Sequence, residues 1–297
     1  MKRAVLSYTM PFSNVSHLPL AGKLKATQVA GYTELSLMPV EVERIAATEG
    51  ITPRDQRKQA EDLGIRIVRL DPLNTWPRVW RPDNMDEAYI ASVDTPPDRF
   101  FAIAEAVGAR QMSLNATFPM GAMALDEIVD HYIAICKRAA EHGITACDLE
   151  PIPLWGVPTL AMGWTIIERA IAGGAENAGL VFDTWHCVRS YSDIGLLRQI
   201  PGDRIHCVQL NDGPLHLPPG VTVKDNCYDR KFPGDGEFPN VEIVRILAET
   251  GGLNGLGPEV FSPILADMSA DFVGEITRRT MSGVLAAAGV ADELLRA

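Results

Sequence analysis

The chain has 297 residues, a hydrophobic content of 46% and a formal net charge of -11. This length and apolar content allow one large core, while the acidic balance and the lack of a basic stripe exclude a protein that binds nucleic acid through its phosphates. No apolar run reaches the roughly 18 residues of a spanning helix, no signal peptide is recognised, and the five cysteines lack paired spacing, so we expect a cytoplasmic protein without a membrane partner.

Short β-like runs alternate with longer helical patterns along the whole chain. The predicted strands cover residues 4–8, 33–38, 65–70, 111–115, 144–150, 179–183, 205–211 and 257–261. Helix-period stretches such as 125–143 and 239–252 lie between them and end on glycine, a common helix C-cap. Eight such units over about 250 residues predict an α/β fold, a (β/α)8 TIM barrel that forms a single domain over residues 1–297.

A doubly wound sheet is the competing α/β architecture. It would need a glycine-rich turn after the first strand, and the segment SYTMPFSN at 7–14 supplies none. In a barrel, the long loops at 71–97, 151–162 and 212–239 follow strands 3, 5 and 7 and lie on one face. Long loops in a compact domain usually carry function, so we expect the active site on that face.

Four consecutive predicted strands end on an acid or an amide. The segments DLEP, FDTWH, VQLND and GPEVFSP offer Glu150, Asp183, Gln209 and Glu259. Each acid alone has a plainer explanation as a helix cap or a surface charge. Parallel neighbouring strands deliver all four to the same rim, however, and carboxylates gathered there repel one another unless a cation lies among them. An oxygen-rich set suits a hard divalent ion, so a metal site is predicted.

The chain at this point resembles the xylose isomerase-like TIM-barrel superfamily, the sugar-phosphate isomerase and epimerase group that includes inosose and 3-dehydroshikimate dehydratases. The resemblance covers most of the chain and is densest from 144 to 263. Family members usually take metal ligands from Glu, Asp, His and Glu on strands 5 to 8, so Gln209 stands where histidine is commoner. The resemblance implies a divalent metal, with manganese expected first and magnesium or cobalt as alternatives, since an amide oxygen suits such an ion.

Two further residues follow from the same resemblance. The stretch DTWH matches the family pattern DTxH, which places His186 beside the substrate, where a titratable group serves proton transfer. The segment YDRKFPGDGEFP resembles the family's Arg followed by PGxG, which makes Arg230 a substrate-binding candidate, with Lys224 a weaker one on the same loop. A helix-capping histidine and a surface arginine are the alternatives.

Other residues complete the predicted pocket. Four tryptophans fall in loops of the active-site face, where they either stack on a sugar or pack the loops onto the barrel: Trp76, Trp80, Trp155 and Trp185. Of these we assign Trp155 and Trp185 to substrate binding, together with Asn115 and Glu34 on strands 4 and 2. Arg69 is a further candidate at the mouth, whereas alternation along strand 7 predicts that His206 points away from the site.

The expected function is that of a metal-dependent isomerase or epimerase. It would act on a sugar, keto-sugar or cyclic polyol through a metal-stabilised enediolate, with Glu150 and Glu259 as a base and acid pair. Loss of a β-hydroxyl group, assisted by His186, would instead give a dehydratase (lyase) of the 3-dehydroshikimate or inosose type, which Gln209 favours. A non-catalytic sugar-binding barrel is a third possibility. Six histidines and the acidic charge disfavour the family's DNA-repair branch, and family habit suggests a homo-oligomer.

Overall fold

Eight parallel strands form one barrel in this computed structural model, which describes residues 5–77 and 87–290. The strands follow chain order around the sheet. They are β1 Thr9–Met10, β2 Glu34–Leu37, β3 Arg66–Leu73, β4 Gln111–Asn115, β5 Ala146–Glu150, β6 Ala178–Asp183, β7 Ile205–Leu210 and β8 Leu256–Pro258. β8 returns to the start of the chain, where the Leu256 amide donates to the Ser7 carbonyl at 2.9 Å. The predicted TIM barrel is therefore confirmed.

Helices separate the strands and form the outer layer. Those of the described residues are α1 Phe12–Val15, α2 Leu20–Val29, α3 Pro39–Glu49, α4 Pro53–Asp62, α5 Glu87–Val93, α6 Pro97–Val107, α7 Leu125–Glu141, α8 Leu160–Ala172, α9 Thr184–Arg189, α10 Val223–Cys227, α11 Asn240–Thr250 and α12 Ala270–Ala288. The helices predicted at 125–143 and 239–252 are confirmed as α7 and α11. None of the helices in residues 5–77 and 87–290 combines the length and the apolarity needed to cross a membrane.

The first and last strands differ from their predicted bounds. Regular pairing in β1 is limited to Thr9–Met10. In the predicted strand at 4–8, Val5 forms an isolated bridge to Leu253 and Tyr8 one to Leu256. β8 ends at Pro258, which has no amide hydrogen to donate. Glu259 consequently lies just beyond the strand, at the carboxyl rim.

The seam between β1 and β8 depends on a glycine. A Cβ atom on Gly257 would lie 2.1 Å from the Thr9 carbonyl oxygen, so the backbone would have to move. We expect Gly257→Ala to lower the free energy of unfolding by about 2 kcal/mol or more, the scale of overpacking. Gly283 on α12 has open space around it, and Gly283→Ala should raise stability by about 0.5–1 kcal/mol. Urea denaturation of both variants checks this, and equal effects would contradict it.

A buried ion network fills the barrel interior below the active-site face. Arg69 donates to Asp148 at 2.7 Å, and the Nδ1 atom of His206 lies 2.6 Å from the other oxygen of Asp148. Two predictions are corrected here. Arg69 does not reach the pocket mouth. His206 lies outside the pocket as predicted, but it points toward Asp148 in the barrel interior and not to the opposite strand face. Leu180 pairs with Ile205 but Val181 pairs with Cys207, so His206 is an extra, bulged residue in the pairing of β6 with β7. Such a bulge redirects the side chain.

This network makes stability depend on pH through His206. The Asp148 carboxylate raises the pKa of His206 above its ordinary value. Because the folded pKa exceeds the unfolded one, the stabilisation is complete below the unfolded pKa of about 6.5 and is lost as pH rises through the folded pKa. His206→Gln should therefore cost more stability at about pH 5.5 than at about pH 9. Urea midpoints of parent and variant at both values test this; the same cost at each would rule the linkage out.

Candidate active site

Side chains from the strand ends and from the loop after β7 form a polar floor, which we define as Asp71, Glu150, Asp183, Gln209, Arg230 and Glu259. Every one of them is buried, with 2–5% of its surface exposed. Strand register brings them together, since Asp183 pairs with Gln209 across β6 and β7. The Glu259 amide donates to the Leu210 carbonyl at 2.8 Å, which places Glu259 beside the end of β7. The structure thus gathers all four predicted metal ligands at one rim.

Arg230 is inserted among these acids. Its Nη1 atom donates to Asp183 Oδ2 at 2.9 Å and to Glu259 Oε2 at 3.1 Å. Its guanidinium also lies 5.0 Å from the centre of the Trp185 ring and 4.8 Å from that of Phe261, within cation–π range. Arg230 borders the cavity as predicted. Its charge, however, is already matched by two carboxylates, so it is less available to an anionic substrate than the sequence suggested.

The loop that carries Arg230 is fixed by Asp212, two residues after strand β7. The Asp212 carboxylate accepts from the amides of Gly234 and Phe238, each at 2.9 Å. A Cβ atom on Gly236 would lie 2.3 Å from Asp212 Oδ1, which explains a glycine in the PGDG turn. Backbone pairing of Asp212 with Lys231 completes the anchor, so the arginine is held by a rigid loop.

Gln209 has a defined amide orientation. Its Nε2 atom donates to Glu259 Oε1 at 2.8 Å and lies 3.4 Å from Asp71 Oδ2. Its Oε1 atom is buried and has no hydrogen-bond partner among the described residues. A buried acceptor without a donor is costly unless another group fills its place. This orphaned oxygen fits a metal ligand.

Asp71 is a floor residue that the sequence reasoning missed. It lies in β3, borders the cavity and accepts a hydrogen bond from Ser113 Oγ. Burial raises the pKa of its carboxyl group. The signal was available, because the strand-like run at 65–70 is followed by an acid, and an acid or amide at the end of such a run identified the other four segments.

His186 lies beside Glu150, in the first turn of α9. Asp183 caps that helix by accepting the His186 amide at 2.9 Å, and this cap places the imidazole Nε2 atom 3.3 Å from Glu150 Oε1. Burial lowers the pKa of His186 to about 4, so the ring is neutral near pH 7. Ligand atoms of Glu150, Asp183 and His186 lie within 4.8 Å of one another. Either a proton transfer pair or a cation can use this geometry.

The floor carries more negative charge than its surroundings neutralise. It holds four carboxyl groups, and in the described part of the chain Arg230 hydrogen bonds only two of them. Burial, followed by repulsion from neighbouring carboxylates, raises the pKa of Glu150 well above its ordinary range; burial likewise raises that of Glu259. A divalent cation would relieve this conflict, so the donor set fits such an ion.

A cavity of about 300 Å³ opens above the floor. Trp155 borders it, as predicted. Trp185 does not; it is fully buried and donates to Asn226 Oδ1 at 2.9 Å, so its assignment to substrate binding is corrected. Trp76 donates to a backbone carbonyl and packs on the barrel. Trp80 lies outside the described residues.

The two strand residues assigned to the pocket have different outcomes. Asn115, at the carboxyl end of β4, borders the cavity, and its Oδ1 atom is buried without a partner among the described residues. Glu34 begins β2 and therefore lies at the opposite, amino end of the barrel. It accepts hydrogen bonds from Arg66 at 2.6 Å and Thr9 at 3.1 Å. The prediction for Glu34 is wrong, because Glu34 is the first residue of β2 and the active-site face is formed by the last residues of the strands.

Comparison with known proteins agrees with this architecture. The family model described as xylose isomerase-like TIM barrel matches residues 24–273. A 3-dehydroshikimate dehydratase of Pseudomonas putida is 25% identical over 249 residues, which is 82% of this chain and 36% of that protein. The chain thus spans about a third of that relative's length. An inosose isomerase of Bacillus velezensis is 27% identical over 133 residues, 45% of each chain.

Solved structures show the same fold at lower identity. The IolI protein with a bound zinc atom has a TM-score of 0.75 and 16% identity, with 97% of this chain and 100% of that chain covered. An L-ribulose 3-epimerase has a TM-score of 0.69 and 19% identity, with 99% of both chains covered. At these identities the likeness concerns the fold.

Proposed function

Because the chain belongs to the xylose isomerase-like TIM-barrel family, we propose that it is a divalent-metal-dependent enzyme that removes a proton from the carbon beside a carbonyl group. The observation that carries this proposal is the buried floor of four carboxyl groups. Three of them, of Asp71, Glu150 and Glu259, border the cavity, and among the described residues one guanidinium hydrogen bonds Asp183 and Glu259. Curated relatives named as dehydratase and isomerase support an enzyme.

We assign the ion to Glu150, Asp183, Gln209 and Glu259. The unpartnered Oε1 atom of Gln209 and the proximity of Glu150 to Asp183 support this set. The bound ion would polarise the substrate carbonyl and lower the cost of removing the neighbouring proton. Its oxygen-rich ligands favour manganese, with magnesium or cobalt as alternatives. Arg230 holds Asp183 and Glu259 in place through its two hydrogen bonds.

The hydrogen bonds divide the two glutamates into different roles. Both oxygens of Glu259 are engaged, one by Gln209 and one by Arg230. Glu150 contacts only the neutral His186 among the hydrogen bonds and ion pairs described here. Glu150 is therefore the better base, and His186 is placed to pass the proton on. One base beside one proton carrier suits loss of water better than the two-sided exchange of an epimerase.

Dehydration and isomerisation both begin with removal of the proton beside the carbonyl group, and we place dehydration first. Glu150 takes the proton from carbon, and His186 relays that same proton from Glu150 to the β-hydroxyl group. The bond between carbon and this hydroxyl group breaks, a carbon–carbon double bond forms, and water leaves. The substrate is a small hydroxylated ketone of the dehydroshikimate or inosose kind. An isomerase or epimerase for a keto-sugar or polyol is the second candidate, supported by the inosose isomerase relative.

Metal analysis and product analysis together test the proposal. After manganese loading and removal of free ion, the parent should hold about one equivalent, and a Glu150→Ala, Asp183→Ala double variant should hold none. Dehydroshikimate, inosose and keto-sugars are then incubated in D2O and followed by NMR, which distinguishes loss of water from isomer formation. Metal held equally by the double variant, or no exchange and no product from any substrate, would overturn the proposal.

Replacing His186 separates proton transfer from metal binding. His186→Asn should slow turnover by about 10²-fold or more, because proton transfer is lost, while manganese affinity stays near that of the parent. Calorimetric titration with manganese and steady-state kinetics measure the two effects. A large loss of manganese affinity would make His186 a ligand, which its distance from Glu150 and Asp183 also allows.

A further inference from the structure

One wall of the cavity belongs to the short helix α10 and the residue that follows it. Lys224, Cys227 and Tyr228 border the cavity from this segment. A helix of five residues has little stability of its own, because nucleation of a helical turn is unfavourable. The capping box of Thr222 and Asp225 stabilises the turn without attaching it to the barrel. The position of this wall must therefore come from tertiary contacts.

Asn226 attaches α10 to helix α9. Its side chain is buried, and its Oδ1 atom accepts a hydrogen bond from Trp185 Nε1 and another from Arg189 Nε, each at 2.9 Å. Trp185 and Arg189 are four positions apart on α9, so their side chains lie on the same face of that helix. Two donors of one helix thus converge on one oxygen of the other.

Arg189 extends this contact to the loop before α10. Its Nη1 atom donates to the Leu215 carbonyl at 3.1 Å and its Nη2 atom to the Pro214 carbonyl at 2.7 Å. Its guanidinium also lies 5.0 Å from the centre of the Phe238 ring, within cation–π range. All three guanidinium nitrogens therefore donate to uncharged oxygens, a geometry that the planar fork of arginine provides and a lysine ammonium does not.

These hydrogen bonds fix the α10 wall relative to His186, which lies on α9 between the two donors. We propose that Arg189 and Asn226 are positioning residues, which hold α10 in place as the wall against which the substrate binds. The proposal rests on the proposed function for the reaction and on the hydrogen bonds alone for the wall.

The expected effect is on substrate binding more than on the chemical step. Glu150 ends strand β5 and the Asp183 cap places His186, so neither reacting group depends on α10 for its position. A wall contacts the substrate before and during proton removal alike. Loss of such uniform binding raises KM and leaves kcat nearly unchanged.

Hydrogen exchange measured by mass spectrometry tests the wall. Asn226→Leu leaves two buried donors without an acceptor, so the amides of residues 223–230 should exchange about tenfold or more faster, while those of α6 keep the parent rate. Arg189→Lys keeps the charge but loses the fork, and should have the same effect; it carries the test if Asn226→Leu does not fold. Asn226→Asp keeps an oxygen acceptor and should restore the parent rate.

Asn177→Leu is the matched control. Asn177 donates to the Cys136 and Ile144 carbonyls at 3.0 and 3.2 Å, just before the amino ends of β6 and β5. The substitution therefore also removes two hydrogen bonds of one side-chain amide, but at the opposite end of the barrel. Exchange of residues 223–230 and KM should both stay at the parent values.

Kinetics on the substrate that the product analysis identifies complete the test. Asn226→Leu and Arg189→Lys should raise KM about tenfold and change kcat by less than about threefold, whereas Asn226→Asp should resemble the parent. Parent-like exchange in the first two variants, equally fast exchange in Asn226→Asp or Asn177→Leu, or a fall in kcat at unchanged KM would each overturn the proposal. The exchange measurement needs neither metal nor substrate, so its result stands even if the proposed function fails.

Discussion

Glu150→Gln is expected to lower turnover by about 10³-fold or more at saturating manganese, because an amide cannot accept the proton that Glu150 is placed to receive. Glu150 is buried beside His186, and the substitution preserves its size and one oxygen donor. The unfolding midpoint should therefore stay close to that of the parent. Initial rates on whichever substrate the product analysis identifies, measured with manganese in excess, give the result.

A surface substitution provides the matched control. Glu43→Gln makes the same chemical change at a carboxylate that pairs with Arg99 on the helical exterior, and it should leave the rate unchanged. Full activity in Glu150→Gln would remove this residue from the mechanism. A lost activity accompanied by a lowered unfolding midpoint would instead point to a structural role, so both measurements are needed.

The barrel and the acidic rim were predictable because they depend on repeated, local patterns. Alternating strand and helix periods specify the layers, and parallel strands carry their terminal side chains to one face. The acids at 150, 183 and 259 consequently meet, as does the amide at 209. Asp71 was within reach of the same rule, since its strand also ends its apolar run on an acid.

The remaining errors concern side-chain direction, which depends on details that sequence periodicity does not carry. A bulge opposite β6 turns His206 toward Asp148, against strict alternation. Glu34 lies on the predicted strand, but the structure shows it at the amino end of that strand, where it pairs with Arg66. Trp185 follows the active-site strand directly, yet its ring packs beneath a guanidinium. Each outcome is decided by one tertiary contact.

Replacement of Arg230 should have the second large effect, a loss of stability. Arg230→Met removes the guanidinium from Asp183 and Glu259 and leaves both carboxylates buried with less compensation. Breaking a buried pair by removing one partner costs about 3–5 kcal/mol, so the metal-free variant should be less stable by that order. Arg66→Met, which removes an exposed partner of Glu34, should cost about 0–1 kcal/mol. Chelator-treated proteins compared by urea denaturation give both values.

Manganese should restore much of the stability that Arg230→Met loses. An ion among the same carboxylates supplies the missing positive charge, and without the nearby guanidinium it is also repelled less. Since a ligand stabilises the folded state according to its affinity, added manganese should raise the unfolding temperature of Arg230→Met more than that of the parent. An equal rise in both proteins would mean that the ion does not bind among the carboxylates that Arg230 contacts, and the ligand assignment of Asp183 and Glu259 would then have to be abandoned.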